Sequence, residues 1–194
     1  MLTQRIIGAF TFRKGVYAEV EQDTSFTTTA WIIVAVVAFL NQLGTAASRD
    51  IPGWLIGAVI GTIFAILGFA VGALVINWVG RAVFKAEVTF HELVRTLGLA
   101  YVWNVIGVLG ILAIISEGLS CVLAPVMFIA FILMVIAWFV AAKEALDLDW
   151  VKTIITVVLG WLALMAVTLA AGLVLGALGL GVAGLAGAFG AGAQ

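Results

Sequence analysis

A succession of five long apolar runs, parted by short polar links, restricts this chain more than any other feature. A helix rises about 1.5 Å per residue, so roughly 20 apolar residues cross a hydrocarbon core about 30 Å thick. Of the 194 residues, 65% are hydrophobic and 10% charged, where a soluble globular chain carries about 25% charge. That leaves too little polar surface for a soluble shell, and the bilayer is the natural solvent. The expected fold is all-α. It is an integral membrane bundle of five transmembrane helices, with an N-terminal interfacial helix and a short interfacial helix between spans 2 and 3.

In this reading residues 1–27 form a cytoplasmic N-terminal amphipathic segment, and residues 28–194 a five-span membrane domain ending in a Gly/Ala-rich tail. Within the first segment Ile6, Phe10, Val16, Tyr17 and Val20 fall at spacings that put one apolar stripe on a helix. Such a helix lies in the interface or packs on the protein itself. Thr24, Ser25 and Thr27 to Thr29 offer side-chain oxygens to the start of the next helix. No short apolar run with a small-residue cleavage site comes first, so span 1 is expected to stay as an anchor.

Span 1 is read from about Thr28 to Leu43 and span 2 from about Pro52 to Val79, with Pro52 tolerated in the first turn. Gly57 and Gly61, and then Gly68 and Gly72, are small residues four apart. They form a helix-packing interface, expected to serve a neighbour within the chain. Span 3 runs from about Leu97 to Ile115, and Asn104 a turn inside it should find a hydrogen-bond partner on another helix. A short turn at Ser116 leads to span 4, about Leu119 to Ala142, where Pro125 predicts a kink. Its Met127, Phe128, Phe131, Met134 and Trp138 read as packing rather than as a cofactor lining, since no histidine lies in any span. Span 5 runs from about Thr153 to Leu178. A tail with glycine at 181, 184, 187 and 190 follows, too poor in proline for collagen.

The longest charged interruption, Asn77 to Asn104, organises the rest. It holds the only histidine, His91, with Arg81, Lys85, Arg95, Glu87 and Glu92. Thr89 is placed to cap a helix with Phe90, Leu93, Val94 and Leu97 on one side and His91, Glu92 and Arg95 on another. Arg81, Lys85, His91, Glu92 and Arg95 are accordingly expected to form a solvated cytoplasmic contact surface. One histidine without a second His or Cys does not make a metal site. With the N-terminus inside, the inner segments hold Arg5, Arg13, Lys14, Arg81, Lys85, Arg95, Lys143 and Lys152, and the outer ones Arg49 alone. That asymmetry predicts N-terminus inside and C-terminus outside. Cys121, alone in an apolar run, reads as a buried inert thiol.

Three stretches carry a resemblance. They are Phe10-Thr-Phe-Arg-Lys-Gly-Val-Tyr17, Phe90-His-Glu-Leu-Val-Arg-Thr-Leu-Gly-Leu-Ala-Tyr101, and Ala145-Leu-Asp-Leu-Asp-Trp-Val-Lys152 at the opening of the last span. With the five spans and the basic links after spans 2 and 4, they resemble the Yip1 domain family in its small bacterial form. Trp103-Asn104 depart from the proline that such proteins often carry there. The resemblance implies an integral protein of the bacterial cytoplasmic membrane without an assigned reaction. Eukaryotic relatives are associated with Rab GTPases through longer cytosolic N-terminal regions, which this chain lacks, so Rab binding is not carried over.

The expected function is a non-enzymatic membrane scaffold or accessory subunit, partnered by membrane lipids and by itself or other membrane subunits. The alternative is a small-solute transporter or channel component. Pathways through lipid use intramembrane charges or polar rings, and here Asn77 and Asn104 are nearly all there is. Five spans also do not divide into two inverted halves. An enzyme needs a nucleophile with a base, or a metal with ligands, and Glu87, His91 and Glu92 lack the partners. No cofactor is expected, and a net charge of −1 without a basic cluster speaks against nucleic acid.

Overall fold

A computed structural model of the chain describes residues 2–45, 47–48, 50–114 and 117–177. The elements are α1 (Leu2–Phe10), α2 (Val16–Gln22), α3 (Phe26–Thr45), α4 (Ile51–Phe84), α5 (Phe90–Ala100), a 3-10 helix (Tyr101–Ile114), α6 (Glu117–Leu146) and α7 (Trp150–Ala177). Five stretches are long and apolar enough to cross a membrane: α3, α4, α5 joined to the 3-10 helix, α6 and α7. Among the described residues there is no strand. The turn expected at Ser116, the tail from Gly179, and Arg49 lie outside the described residues.

The single N-terminal stripe is split into two helices. Phe12 and Gly15 both take left-handed backbone angles between them, φ 51° and 80°. Glycine adopts that conformation freely; phenylalanine does so at a cost of about 1–2 kcal/mol. The break folds α2 back onto the bundle, where Val16, Tyr17 and Val20 are buried. α1 keeps Leu2 and Ile7 exposed. Asp23, rather than the threonines, organises the start of α3: its carboxylate accepts from the backbone N–H of Ser25 at 3.1 Å and from the Ser25 hydroxyl.

Span 3 is the interior helix. After its first turn, α5 is buried at every position from Leu93 to Ala100. α3, α4, α6 and α2 surround it. Phe69 of α4, fully buried, meets three rings edge-on: Trp31 of α3 and Tyr101 at 5.6 Å each, and Trp138 of α6 at 6.1 Å. In lipid, such packing replaces the hydrophobic drive that holds a soluble core together.

The 3-10 helix is long for its kind. A period of three eclipses every third side chain, which limits most such runs to 3–4 residues. Here 14 residues keep it. One of the eclipsed rows is Tyr101, Asn104, Gly107, Gly110 and Ala113, whose inner members are small. At about 2.0 Å per residue the segment is about 28 Å long, close to the hydrocarbon thickness. That row meets α3: a side chain on Gly44 would strike the carbonyl of Gly107, and one on Gly110 would lie 2.6 Å from the oxygen of Gly44.

Span 4 departs from its expected packing. Trp138 is buried, but Phe128 and Phe131 are 64% and 56% exposed, on the side that faces lipid. Cys121 is exposed as well, not buried, in a stretch of α6 where Val122, Val126 and Phe128 are also turned outward. In a bilayer an outward apolar side chain has no water to avoid, so burial does not follow from hydrophobicity.

Candidate functional site

The links expected to be cytoplasmic gather at one end of the bundle, where α2 packs on α5 and on the end of α6. The corner between α4 and α5 is built from backbone hydrogen bonds. Lys85 takes a left-handed angle, φ 61°, and lets the Ala86 N–H reach back to the Gly80 carbonyl at 2.9 Å. Asn77 donates to the Val88 carbonyl at 3.2 Å, pinning the link from below. Thr89 then caps α5 as expected. Its hydroxyl accepts from the Glu92 N–H at 3.2 Å, while Glu92 accepts from the Thr89 N–H at 2.7 Å.

On that corner Arg81, Lys85, Glu87 and His91 are exposed, and Glu92 is half-buried because its carboxylate is spent on the cap. Arg95 does not belong with them. It is 5% exposed, beneath α2. Its Nε donates to the Glu21 carbonyl at 2.9 Å, Nη2 donates to the same oxygen, and Nη1 donates to the Thr27 hydroxyl at 3.2 Å. Glu21 lies in the last turn of α2, whose carbonyls are unpaired and carry the negative end of the helix dipole. The burial of Arg95 has a physical cause. Arg95 lies one turn along from His91 and Glu92, and the dipole of α2 draws it inward. One guanidinium thus ties α2 and the head of α3 to α5.

Acidic groups surround this tie. Burial chiefly, then the carboxylates of Asp147, Glu92 and Glu144, push the Glu21 carboxyl up to about 7, against the pull of Arg95. Burial also raises the Tyr17 hydroxyl, which has no hydrogen-bond partner. Further out, Asp23 is held below the usual carboxylate range by the Ser25 hydroxyl and by Arg5, with which it is paired at 2.7 Å. Asp149 is lowered likewise by Lys152, at 2.8 Å. Among the described residues, no three His, Cys, Asp or Glu side chains come together in a way that could hold a metal ion.

A scan against family models matches the Yip1 domain over residues 7–172, from within α1 to within α7. The chain belongs to the Yip1 domain family. The match takes in all five spans and both links that build the charged end, so the resemblance of the three short stretches extends to the whole Yip1 fold. No curated protein and no solved structure matches the chain.

The glycines of span 2 are divided in use. Gly68 and Gly72 are buried against α7: a side chain on Gly72 would lie 3.4 Å from the Gly160 carbonyl, and one on Gly68 would lie 3.6 Å from Leu164. Gly61 faces Gln42 of α3, whose Oε1 would be 2.8 Å from an added carbon. Gly57 has open space in front of it. Asn104, for its part, donates at 3.2 Å to the Tyr101 carbonyl of its own helix. The bond across helices runs the other way, from Asn41 to the Asn104 carbonyl at 2.8 Å. Sequence reading missed Asn41, Gly44, Gly107 and Gly110, and it also missed Glu21. The available signal was the spacing of three between the small residues of span 3.

Proposed function

We propose that this Yip1-family protein is a non-enzymatic membrane scaffold or accessory subunit. It sits in a bacterial cytoplasmic membrane with its N-terminus inside and C-terminus outside. The observation that carries the reading is the α4–α5 corner. It is fixed by three sets of backbone-directed hydrogen bonds, yet Arg81, Lys85 and His91 stand exposed on it, beside Glu87, with no salt bridge among the described residues. A ledge with a fixed backbone and exposed cationic and imidazole side chains suits docking, since little loop ordering remains for the bound state to impose. The buried cation of the same region is already committed, with Arg95 holding helices together. The orientation rests on the basic residues, which crowd the end where α1, α2, the α4–α5 corner and the α6–α7 link meet. Within the membrane, the open face at Gly57, between the exposed Ile56 and Val59, offers a second helix close approach. The partner is another membrane subunit or a second copy.

The test is purification from native membranes in mild detergent, with subunits identified by mass spectrometry beside the native mass. Stoichiometric foreign subunits or a homogeneous self-oligomer is expected, weakened by combined Arg81→Glu, Lys85→Glu and His91→Glu. A strict monomer, with no partner after crosslinking in native membranes, would end this reading.

A further inference from the structure

Two openings lie side by side between α1 and α3. The first, about 320 Å³, is lined at the inner end by Arg5, Asp23, Ser25, Phe26 and Thr29. The second, about 310 Å³, begins one turn deeper. Ile6 and Phe10 of α1, Ile33, Val36 and Leu40 of α3, and Val105 of the 3-10 helix wall it, and its lining is wholly apolar. From Ile32 to Leu40 it follows α3 for about 12 Å. The order along α3 is polar first, before and at the start of the span, and then apolar into the hydrocarbon. That order matches the depth profile of one leaflet.

We infer that α1 and α3 form a site for one phospholipid of the inner leaflet, with a zwitterionic, amine-bearing headgroup and one acyl chain along α3. The headgroup class follows from charge. Arg5 and Asp23 are paired at 2.7 Å and about a quarter exposed, 23% and 29%. A purely anionic headgroup would have to compete with Asp23 for Arg5. A phosphate beside an ammonium instead presents the complementary pair. The phosphate takes the guanidinium donors that Asp23 leaves free, and the ammonium takes the carboxylate. The Ser25 hydroxyl donates to Asp23, and the Thr29 hydroxyl lies on the same wall. Arg5 also stands over the Phe26 ring at 5.1 Å, which holds the guanidinium at the level where the span begins. This site goes beyond the docking ledge, which lies on other elements.

Native mass spectrometry of the purified full chain tests it, after delipidation and titration with phosphatidylethanolamine or phosphatidylglycerol. One phosphatidylethanolamine per chain is expected to survive activation, with phosphatidylglycerol retained about tenfold less. The double variant Arg5→Ala, Asp23→Ala should lose about tenfold in retention, the size of one charge-assisted hydrogen bond. Because the pair is part-buried and Asp23 also accepts from Ser25 ahead of α3, the companion variant Arg5→Gln, Asp23→Asn, which keeps an amide oxygen there, should fold and lose retention alike. Val36→Trp, at a position 52% exposed, should block the apolar groove and abolish retention while the melting temperature holds. Equal retention of the two lipids, a preference for phosphatidylglycerol, or retention unchanged in the double variant or in Val36→Trp would each overturn the assignment.

Discussion

Two seams hold this bundle together, and both are made of glycine, yet they work differently. Between α4 and α7, Gly68 and Gly72 meet Gly160 and Leu164 at ordinary van der Waals range. An added methyl would lie 3.4–3.6 Å from its nearest neighbour at Gly72 and Gly68. At Gly160 the nearest atom, 2.5 Å away, is Cγ1 of the fully buried Ile76, stiff at χ1 in its helix, and the Gly72 carbonyl lies 3.1 Å off. Between α3 and the 3-10 helix, backbone meets backbone. An added methyl on Gly44 would run into the Gly107 carbonyl, and one on Gly110 would meet the Gly44 oxygen at 2.6 Å. The first seam has room for a methyl on its α4 side, at Gly68 and Gly72, but not at Gly160; the second requires glycine on both sides.

Alanine substitution should separate the two. Gly44→Ala forces the backbones apart and should destabilise by about 3 kcal/mol, at the upper end for overpacking. Thermal unfolding in detergent would read it. Gly110→Ala should cost about 2 kcal/mol by the same mechanism. Asn41→Ala alone should cost only about 0.6 kcal/mol, the usual worth of an interhelical hydrogen bond in lipid. It should also soften Gly107→Ala, because the added methyl there collides first with the Asn41 amide. A double-mutant cycle in which the two costs simply add would contradict that geometry. Gly72→Ala should shift stability by no more than about 0.5 kcal/mol in either direction.

Neither seam carries a titratable side chain, so the pH dependence of unfolding belongs to the charged end. Glu21, raised in the fold to about 7 from an ordinary 4.5, binds more protons folded than unfolded between those values. Stability from this group is therefore full below about 4.5 and is lost as the pH rises through 7. Glu21→Gln should flatten the decline in melting temperature over that window and leave acid stability unchanged. A decline that survives the substitution would remove Glu21 from the account.

The spans, their order and the cap at Thr89 were legible because apolar run length and capping chemistry are local. The α4–α7 seam was half legible, since glycines four apart align on an α-helix; Gly68 and Gly72 did, while Gly57 was left unpartnered. The α3 seam was not. The row Asn104, Gly107 and Gly110 would drift about 60° per step of three on an α-helix, and it holds one line only once the chain after Ala100 winds with a period of three. Arg95 was misplaced for a related reason. The charged residues one turn before it, His91 and Glu92, face outward, and the carbonyl that draws it inward lies at the end of a helix 74 residues earlier.

The period of span 3 is therefore the claim on which the packing rests. Solid-state NMR of 15N-labelled protein in oriented bilayers reads it directly, from the oscillation of amide dipolar couplings along Tyr101–Ile114. A repeat of about 3.0 residues is the predicted result. A repeat of about 3.6 would rotate Gly107 and Gly110 off the Asn104 face and contradict the seam.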